Sequence, residues 1–128
     1  MSASRSQRFP VALVTAIDSG KRLGIKAGSA PHRIITIWAV VVEGRVFVRS
    51  WSKKPRSWWR TFLADPTGRI EVGTRKVRVR ARQTRSERLR DAVDEAYLQK
   101  YGTGASLKYA RDLGRPRCRA TTTELLPR

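Results

Sequence analysis

The stretch Arg33–Trp51, RIITIWAVVVEGRVFVRSW, consists of two runs of β-branched and aromatic residues parted by Glu43-Gly44. Residues of that kind favour strands, and an acidic residue followed by glycine suits the two central positions of a tight hairpin turn. The stretch is therefore read as a hairpin at the centre of the fold. Its first arm is apolar on both faces, with Ile35, Ile37, Ala39 and Val41 alternating with Ile34, Trp38, Val40 and Val42. Such a strand has to be covered on both sides. The second arm places Val46, Val48 and Ser50 opposite Phe47, Arg49 and Trp51, so polar groups enter towards its end.

Working outward, Ser57–Asp65 (SWWRTFLAD) changes to helical spacing: Trp58 and Phe62, like Trp59 and Leu63, are four apart, Ser57 suits the N-cap, and Pro66 and Gly68 stop the helix. Arg69–Val72 and Lys76–Gln83 form a second hairpin around Gly73-Thr74, with Val77, Val79 and Ala81 facing in and Lys76, Arg78, Arg80 and Arg82 facing out. Thr84-Arg-Ser-Glu87 has capping-box spacing, and Leu89, Val93, Ala96 and Tyr97 give the helix that follows an apolar stripe ending at Gly102. A glycine-containing loop then leads to Arg117–Leu126, whose alternation and threonines suggest a closing strand. On the N-terminal side, Arg22–Lys26 reads as a strand before a Gly28–Pro31 loop. Pro10–Ile17 reads as a short helix, with a strand as the alternative. The order β, ββ, α, ββ, α, β describes an α+β domain over residues 9–128, built on a small antiparallel barrel, preceded by a flexible N-terminus at residues 1–8.

The chain has 128 residues, room for one domain, and 40% of them are hydrophobic, which places the charge on a folded scaffold. Lys and Arg number 28 against 10 Asp and Glu, a formal charge of +18 that repels itself in any compact state and calls for an anionic partner. Nucleic acid, an anionic membrane and a phosphorylated cofactor all qualify, as does the plainer reading that the charge keeps a small protein soluble. One cysteine, Cys118, and one histidine, His32, rule out an intrachain disulfide and argue against a protein metal site or a Cys–His nucleophile. No apolar run is long enough for a signal segment or a membrane span, so a cytoplasmic location without membrane contact is expected.

The segment Arg49–Arg60 (RSWSKKPRSWWR) gathers hydroxyls at Ser50, Ser52 and Ser57, cations at Arg49, Lys53, Lys54 and Arg56, and the start of a helix. Amides at a helix N-terminus together with converging cations can hold phosphate. Trp51, Trp58 and Trp59 could stack on a planar ring or base, or Trp58 and Trp59 could simply fill core. The row Lys76, Arg78, Arg80 and Arg82 could track a nucleic-acid backbone; alternatively it protects a solvent-facing edge or barrel strand from aggregation. There is no phosphate-binding glycine loop and no nucleophile motif, and Asp91, Asp94 and Glu95 read as solvated partners of arginines on their own helix. An enzyme of this sequence would need a bound cofactor to supply its reactivity.

The run TIWAVVVEGRVFVRSWSKKPRSWWRTFLADPTGRIEVG resembles the flavin-binding split-barrel superfamily, which includes pyridoxamine-phosphate oxidases and deazaflavin-dependent nitroreductases. The shared pattern is a Trp-containing strand, a turn, a strand ending in polar and basic residues, an aromatic-led helix and a V-x-V-G-type strand. The whole chain is similar to a bacterial domain-of-unknown-function branch of that group, in which AVVVEGRVFVRSW and DAVDEAYLQKY recur in kind. The resemblance implies a six-stranded antiparallel split barrel with two or three flanking helices, commonly a homodimer, binding FMN or a deazaflavin near the subunit interface. It places phosphate at Ser50, Lys53, Lys54 and Arg56, with Trp38 and Trp51 flanking the ring and Arg49, Ser52, Ser57 and Trp59 beside them. The implied activity is hydride or two-electron transfer to a small substrate. Near the first strand, Gly24-Ile-Lys-Ala-Gly-Ser29 replaces the superfamily's Gly-Arg-x-Ser/Thr-Gly signature. The rival expectations are a basic barrel without retained cofactor that binds nucleic acid, and an interaction module with no ligand.

Overall fold

A computed structural model describes residues 8–31 and 33–128. The central hairpin forms as read: strands β3 (Ala39–Val42) and β4 (Arg45–Val48) pair antiparallel around Glu43 and Gly44, both at positive φ (55° and 72°). Two left-handed residues in succession give the turn whose twist matches that of the flanking strands. The first arm is broken at Trp38, however, leaving a separate strand β2 (Ile35–Ile37). With β1 (Leu23–Ala27), β5 (Thr67–Val72), β6 (Arg75–Gln83) and β7 (Thr123–Pro127), one sheet forms in the order β2-β1-β5-β6-β7-β4-β3.

That order explains the barrel. Its two outermost strands, β2 and β3, are halves of one segment interrupted by a single residue, so the sheet must curl until its edges nearly meet. Among the described residues the six strands expected are therefore seven, because the long first arm bends at Trp38 to pair with β1 on one side and β4 on the other. The carbonyls freed at the bend are capped by a helix: Tyr97 Oη donates to Trp38 O (2.9 Å) and Lys100 Nζ to Ala39 O (2.7 Å). The Trp38 ring lies flat on Tyr101, with centroids 4.0 Å apart.

Among the described residues five α-helices and a 3-10 turn at Gly104–Ser106 surround the sheet, more than the two or three expected. Helix α1 (Val11–Ser19) settles the ambiguity at Pro10–Ile17; its Leu13 and Ile17 join the barrel interior with Ile25, Val46, Val48, Ile70 and Val79. Helix α2 (Trp58–Ala64) packs on β1 and adds Phe62 to that core. Helix α3 (Glu87–Tyr101) covers the opposite face of the central hairpin, where Leu89, Val93, Tyr97 and Tyr101 meet Val40 and Phe47. The requirement that the first arm be covered twice is thus met along Ala39–Val42. Helix α3 is capped by Ser86, whose Oγ accepts from Leu89 N (3.2 Å), two residues later than the capping box suggested. Thr84 instead pairs its N–H with Thr122 O, extending the end of β6.

The expected loop after Gly102 contains α4 (Leu107–Leu113), and the expected strand from Arg117 begins as a helix, α5 (Pro116–Arg119), with Pro116 in its first turn. Proline there is preorganised for helix, which overrides the alternating pattern; the strand itself starts at Thr123. Cys118 is buried against α3 and α4, the place of a small hydrophobe. Of the expected flexible terminus only Arg8 lies within the described residues, where it donates to Glu43 O (2.9 Å); His32 lies outside them. No helix among the described residues is long and apolar enough to cross a membrane.

Candidate functional site

A cavity of about 670 Å³ opens off the inner face of β1 and β2 beside α2, and is lined by Ile25, Ala27, Pro31, Arg33, Ile35, Pro55, Arg56, Trp58 and Thr61. Two loops build it. The first leaves β1 at Gly28, whose φ of +79° is one that a side chain resists, and an added Cβ would stand 2.9 Å from Thr61 Cγ2. Ser29 then fixes the loop by donating from both N–H (2.8 Å) and hydroxyl (2.7 Å) to Asp65, whose other oxygen accepts from the N–H (3.2 Å) and hydroxyl (2.7 Å) of Thr67. Four donors on one carboxylate, the Ser29 hydroxyl foremost, hold Asp65 far below the usual carboxylate range. The second loop, between β4 and α2, brings Pro55 and Arg56 to the opposite wall.

The groove is apolar at Ala27, Pro31, Ile35, Pro55 and Trp58 and cationic at Arg33 and Arg56. Trp58 meets Phe62 edge-on, centroids 6.0 Å apart, so its ring is braced from the core side. The Thr61 hydroxyl donates back to Ser57 O (3.2 Å). Among the described lining residues there is no carboxylate, thiol or imidazole.

The ten residues singled out from the sequence do not converge on one pocket. Arg56 alone lines the groove. Trp51, Ser52, Lys53 and Lys54 line a separate cleft of about 380 Å³ together with Arg117. Trp38 lines a third, about 480 Å³, beside Lys100 and Tyr101, and stands edge-on to Trp51 with centroids 5.4 Å apart. The hydroxyls expected to meet phosphate are used by the loop itself. Ser50 Oγ donates to Ser52 O (2.6 Å), Ser52 Oγ accepts from Lys54 N (3.1 Å), and Ser57 Oγ caps α2 by accepting from Arg60 N (3.3 Å). Helix α2 has seven residues, so little dipole gathers at its start. Trp59 is buried, donates from Nε1 to Gln83 Oε1 (2.8 Å), and carries Lys53 and Arg60 on its ring at 5.5 and 5.3 Å.

Arg49 is the largest departure. It is 1% exposed and its guanidinium donates to Thr122 Oγ1 (2.8 Å), Leu113 O (3.0 Å), Arg90 O (2.9 Å) and the Asp94 carboxylate. Burial pushes its pKa down and Asp94 pushes it back up, and an arginine starts high enough to stay charged. Arg49 therefore ties β4 to α3, α4 and the start of β7 rather than facing an open surface. Asp91 and Asp94 pair with Arg119 across elements (2.8 and 2.5 Å), not with arginines of their own helix as the sequence suggested.

Residues 14–125 match the family profile described as "Uncharacterized protein conserved in bacteria (DUF2255)". No curated protein matches the sequence. The chain is similar in fold to the crystal structure of conserved hypothetical protein Rv2991 from Mycobacterium tuberculosis, with a TM-score of 0.56 at 12% identity, over 94% of this chain and 81% of that one.

Proposed function

We propose, from the premise that this chain belongs to the bacterial family DUF2255, that its groove binds a planar, phosphorylated cofactor of the flavin or deazaflavin kind and that the protein is an oxidoreductase acting through it. The single observation that carries this reading is the pairing, in one cavity of about 670 Å³, of an apolar lining with two arginines from separate loops. Cofactor sites fall in this size range and combine mostly apolar walls with a few polar groups that fix orientation. The likeness of the run around the central hairpin to flavin-binding split barrels supports the same ligand class.

The residues present fit such a group. Arg33 and Arg56 supply forked donors suited to phosphate oxygens. Trp58, Ile35, Ala27 and the two prolines offer an apolar bed from which a ring system displaces water. When bound, the cofactor supplies the hydride or electron pair. The chain's part is to grip the anionic end, seat the ring and keep solvent away; Gly28, Ser29 and Asp65 hold the wall that does so. Lys53 and Lys54, on the same loop as Arg56, and Arg117 on α5, which together line the separate cleft, add positive potential that draws an anion in.

The test is calorimetric titration of the protein with FMN, with a deazaflavin and with riboflavin, which lacks the phosphate. Saturable binding of a phosphorylated ligand, at least about tenfold tighter than riboflavin, is expected from two charge-assisted contacts. Absence of binding by all three at millimolar concentration removes the proposal.

A further inference from the structure

The opposite side of β1 carries a different feature. Side chains of paired residues share a sheet face, and the register places Lys26 opposite Arg69, Arg69 opposite Arg78, and Glu71 opposite Lys76 on the outside of the barrel. Arg80 and Arg82 continue the outer row of β6. Six cations thus cover a continuous face of three adjacent strands, with Glu71 and the buried Glu124 as the acids set among them.

Protection of a sheet edge accounts for part of the row only: β7 pairs with β6 over Val79–Gln83, so Lys76 lies where β6 has β5 alone beside it, whereas Arg80 lies between two paired strands. Solubility does not explain the arrangement. Lys26, Arg69 and Arg78 stand side by side in one cross-strand row, where like charges directly opposite destabilise a sheet. Among the described residues Lys26, Lys76, Arg78 and Arg80 form no ion pair. Glu71, opposite Lys76 and 3.9 Å from Arg69, and Glu124, paired with Arg82, offset part of this repulsion; the rest is built into the face.

We infer that this face is a binding surface for the phosphate backbone of nucleic acid, contacted without reading of bases. Successive outward side chains on β6 recur about every 7 Å, with neighbouring strands about 5 Å apart, a two-dimensional lattice of donors that a regularly charged polymer can meet at several points at once. Arginine, with its fork, supplies four of the six positions and suits phosphate oxygens. A lipid surface is the poorer fit: membrane-bound faces add apolar side chains that insert, and the exposed large hydrophobics Val11, Ile35, Leu63, Leu98 and Tyr109 are all elsewhere. The face also presents no exposed aromatic on which an unpaired base could stack, which favours duplex over single strand and removes sequence preference. The surface is independent of the groove, since it lies on the outer side of the sheet whose inner side the groove uses.

The experiment is fluorescence anisotropy with a labelled DNA duplex, a duplex of the same length and scrambled sequence, and the corresponding single strand, over a range of salt, for three proteins. Wild type is expected to bind both duplexes equally, with log K falling against log salt at a slope of about −3.5 or steeper, since each neutralised phosphate contributes about −0.9. Arg78→Glu/Arg80→Glu is expected to weaken binding by about tenfold or more and to make the slope shallower by about 2, while the charge-matched Lys108→Glu/Arg111→Glu on α4 stays near wild type. The inference is overturned if both variants lose affinity equally, if the wild-type slope is shallower than about −2, or if phosphatidylserine vesicles are bound and the duplexes are not. If the charge reversal fails to fold, Arg78→Gln/Arg80→Gln gives the same comparison. Flavin affinity is expected to be the same in every arm, so failure here leaves the groove reading standing.

Discussion

Replacing Arg49 by methionine tests whether that residue is a strut or a ligand contact. Methionine keeps much of the length and apolar volume but removes the donors to Thr122, Leu113, Arg90 and Asp94. Removing one partner of a buried charged pair costs about 3–5 kcal/mol. Here the lower end applies: Asp94 is 29% exposed and keeps Arg119, Thr122 Oγ1 keeps its own bond to Arg119 O (2.6 Å), and Arg90 O lies within the α3 ladder, which leaves the Leu113 carbonyl at the end of α4 as the orphaned group. A loss of about 3 kcal/mol is a large share of the 5–15 kcal/mol typical of a domain, and corresponds to a fall in melting temperature of about 10 °C. Urea unfolding followed by far-ultraviolet circular dichroism measures it, with an unchanged slope showing that stability alone moved. Lysine at 49 should be intermediate, since it restores the charge but not the fork. Arg49→Met within about 0.5 kcal/mol of wild type would refute the strut; so would wild-type stability with impaired flavin binding in Arg49→Lys.

Other consequences follow from the same geometry. Gly28→Ala is expected to destabilise by about 1–2 kcal/mol from its left-handed backbone alone, with more from the Thr61 contact at 2.9 Å, and to weaken binding in the groove; thermal melts and flavin titration check both. Glu124 is 2% exposed; burial raises its pKa, but bonds from Arg45 (2.8 and 2.9 Å) and Arg82 (2.8 Å) outweigh burial and leave it below the ordinary value. Its stabilisation is thus complete above the unfolded value of about 4.3 and fades as pH falls through the depressed folded one. Glu124→Gln should cost about 2 kcal/mol at neutral pH and flatten the acid limb of stability against pH in urea titrations. Arg78→Thr is expected to raise stability by about 0.2–1 kcal/mol by relieving repulsion from Arg69, a gain that shrinks as salt is added.

What could be read from the sequence was what local chemistry decides. Glu43-Gly44 fixes a turn within four residues, Ser57 caps α2 as its position suggests, and the alternation along Lys76–Gln83 follows from the strand's own period. What could not be read depends on partners distant in sequence. The bend at Trp38 requires Tyr97, Lys100 and Tyr101, about sixty residues on, to take over the free carbonyls and the ring. Arg49 has the composition of a surface residue, and only the approach of α3 and α4 encloses it. The groove was partly visible: Arg56 was in view, whereas Arg33, Ile35 and Thr61 reach it through folding of β1 against α2. A signal for its wall was present in Gly28-Ser29 and Asp65-Pro66, a positive-φ glycine with a hydroxyl and a carboxylate before proline, but nothing in the sequence joins the two. Lys53 and Lys54 adjoin Arg56 in the chain yet line another cleft, because a loop turning between β4 and α2 presents successive residues to different sides.

The most direct test of the central claim is a crystal structure of the protein grown with FMN or a deazaflavin. Density is expected for the ring between Trp58 and Ile35 and for the phosphate within hydrogen-bonding distance of Arg33 or Arg56. A ligand seated instead in the Trp51–Lys54 cleft, with the Arg33–Arg56 groove holding only solvent, would contradict it.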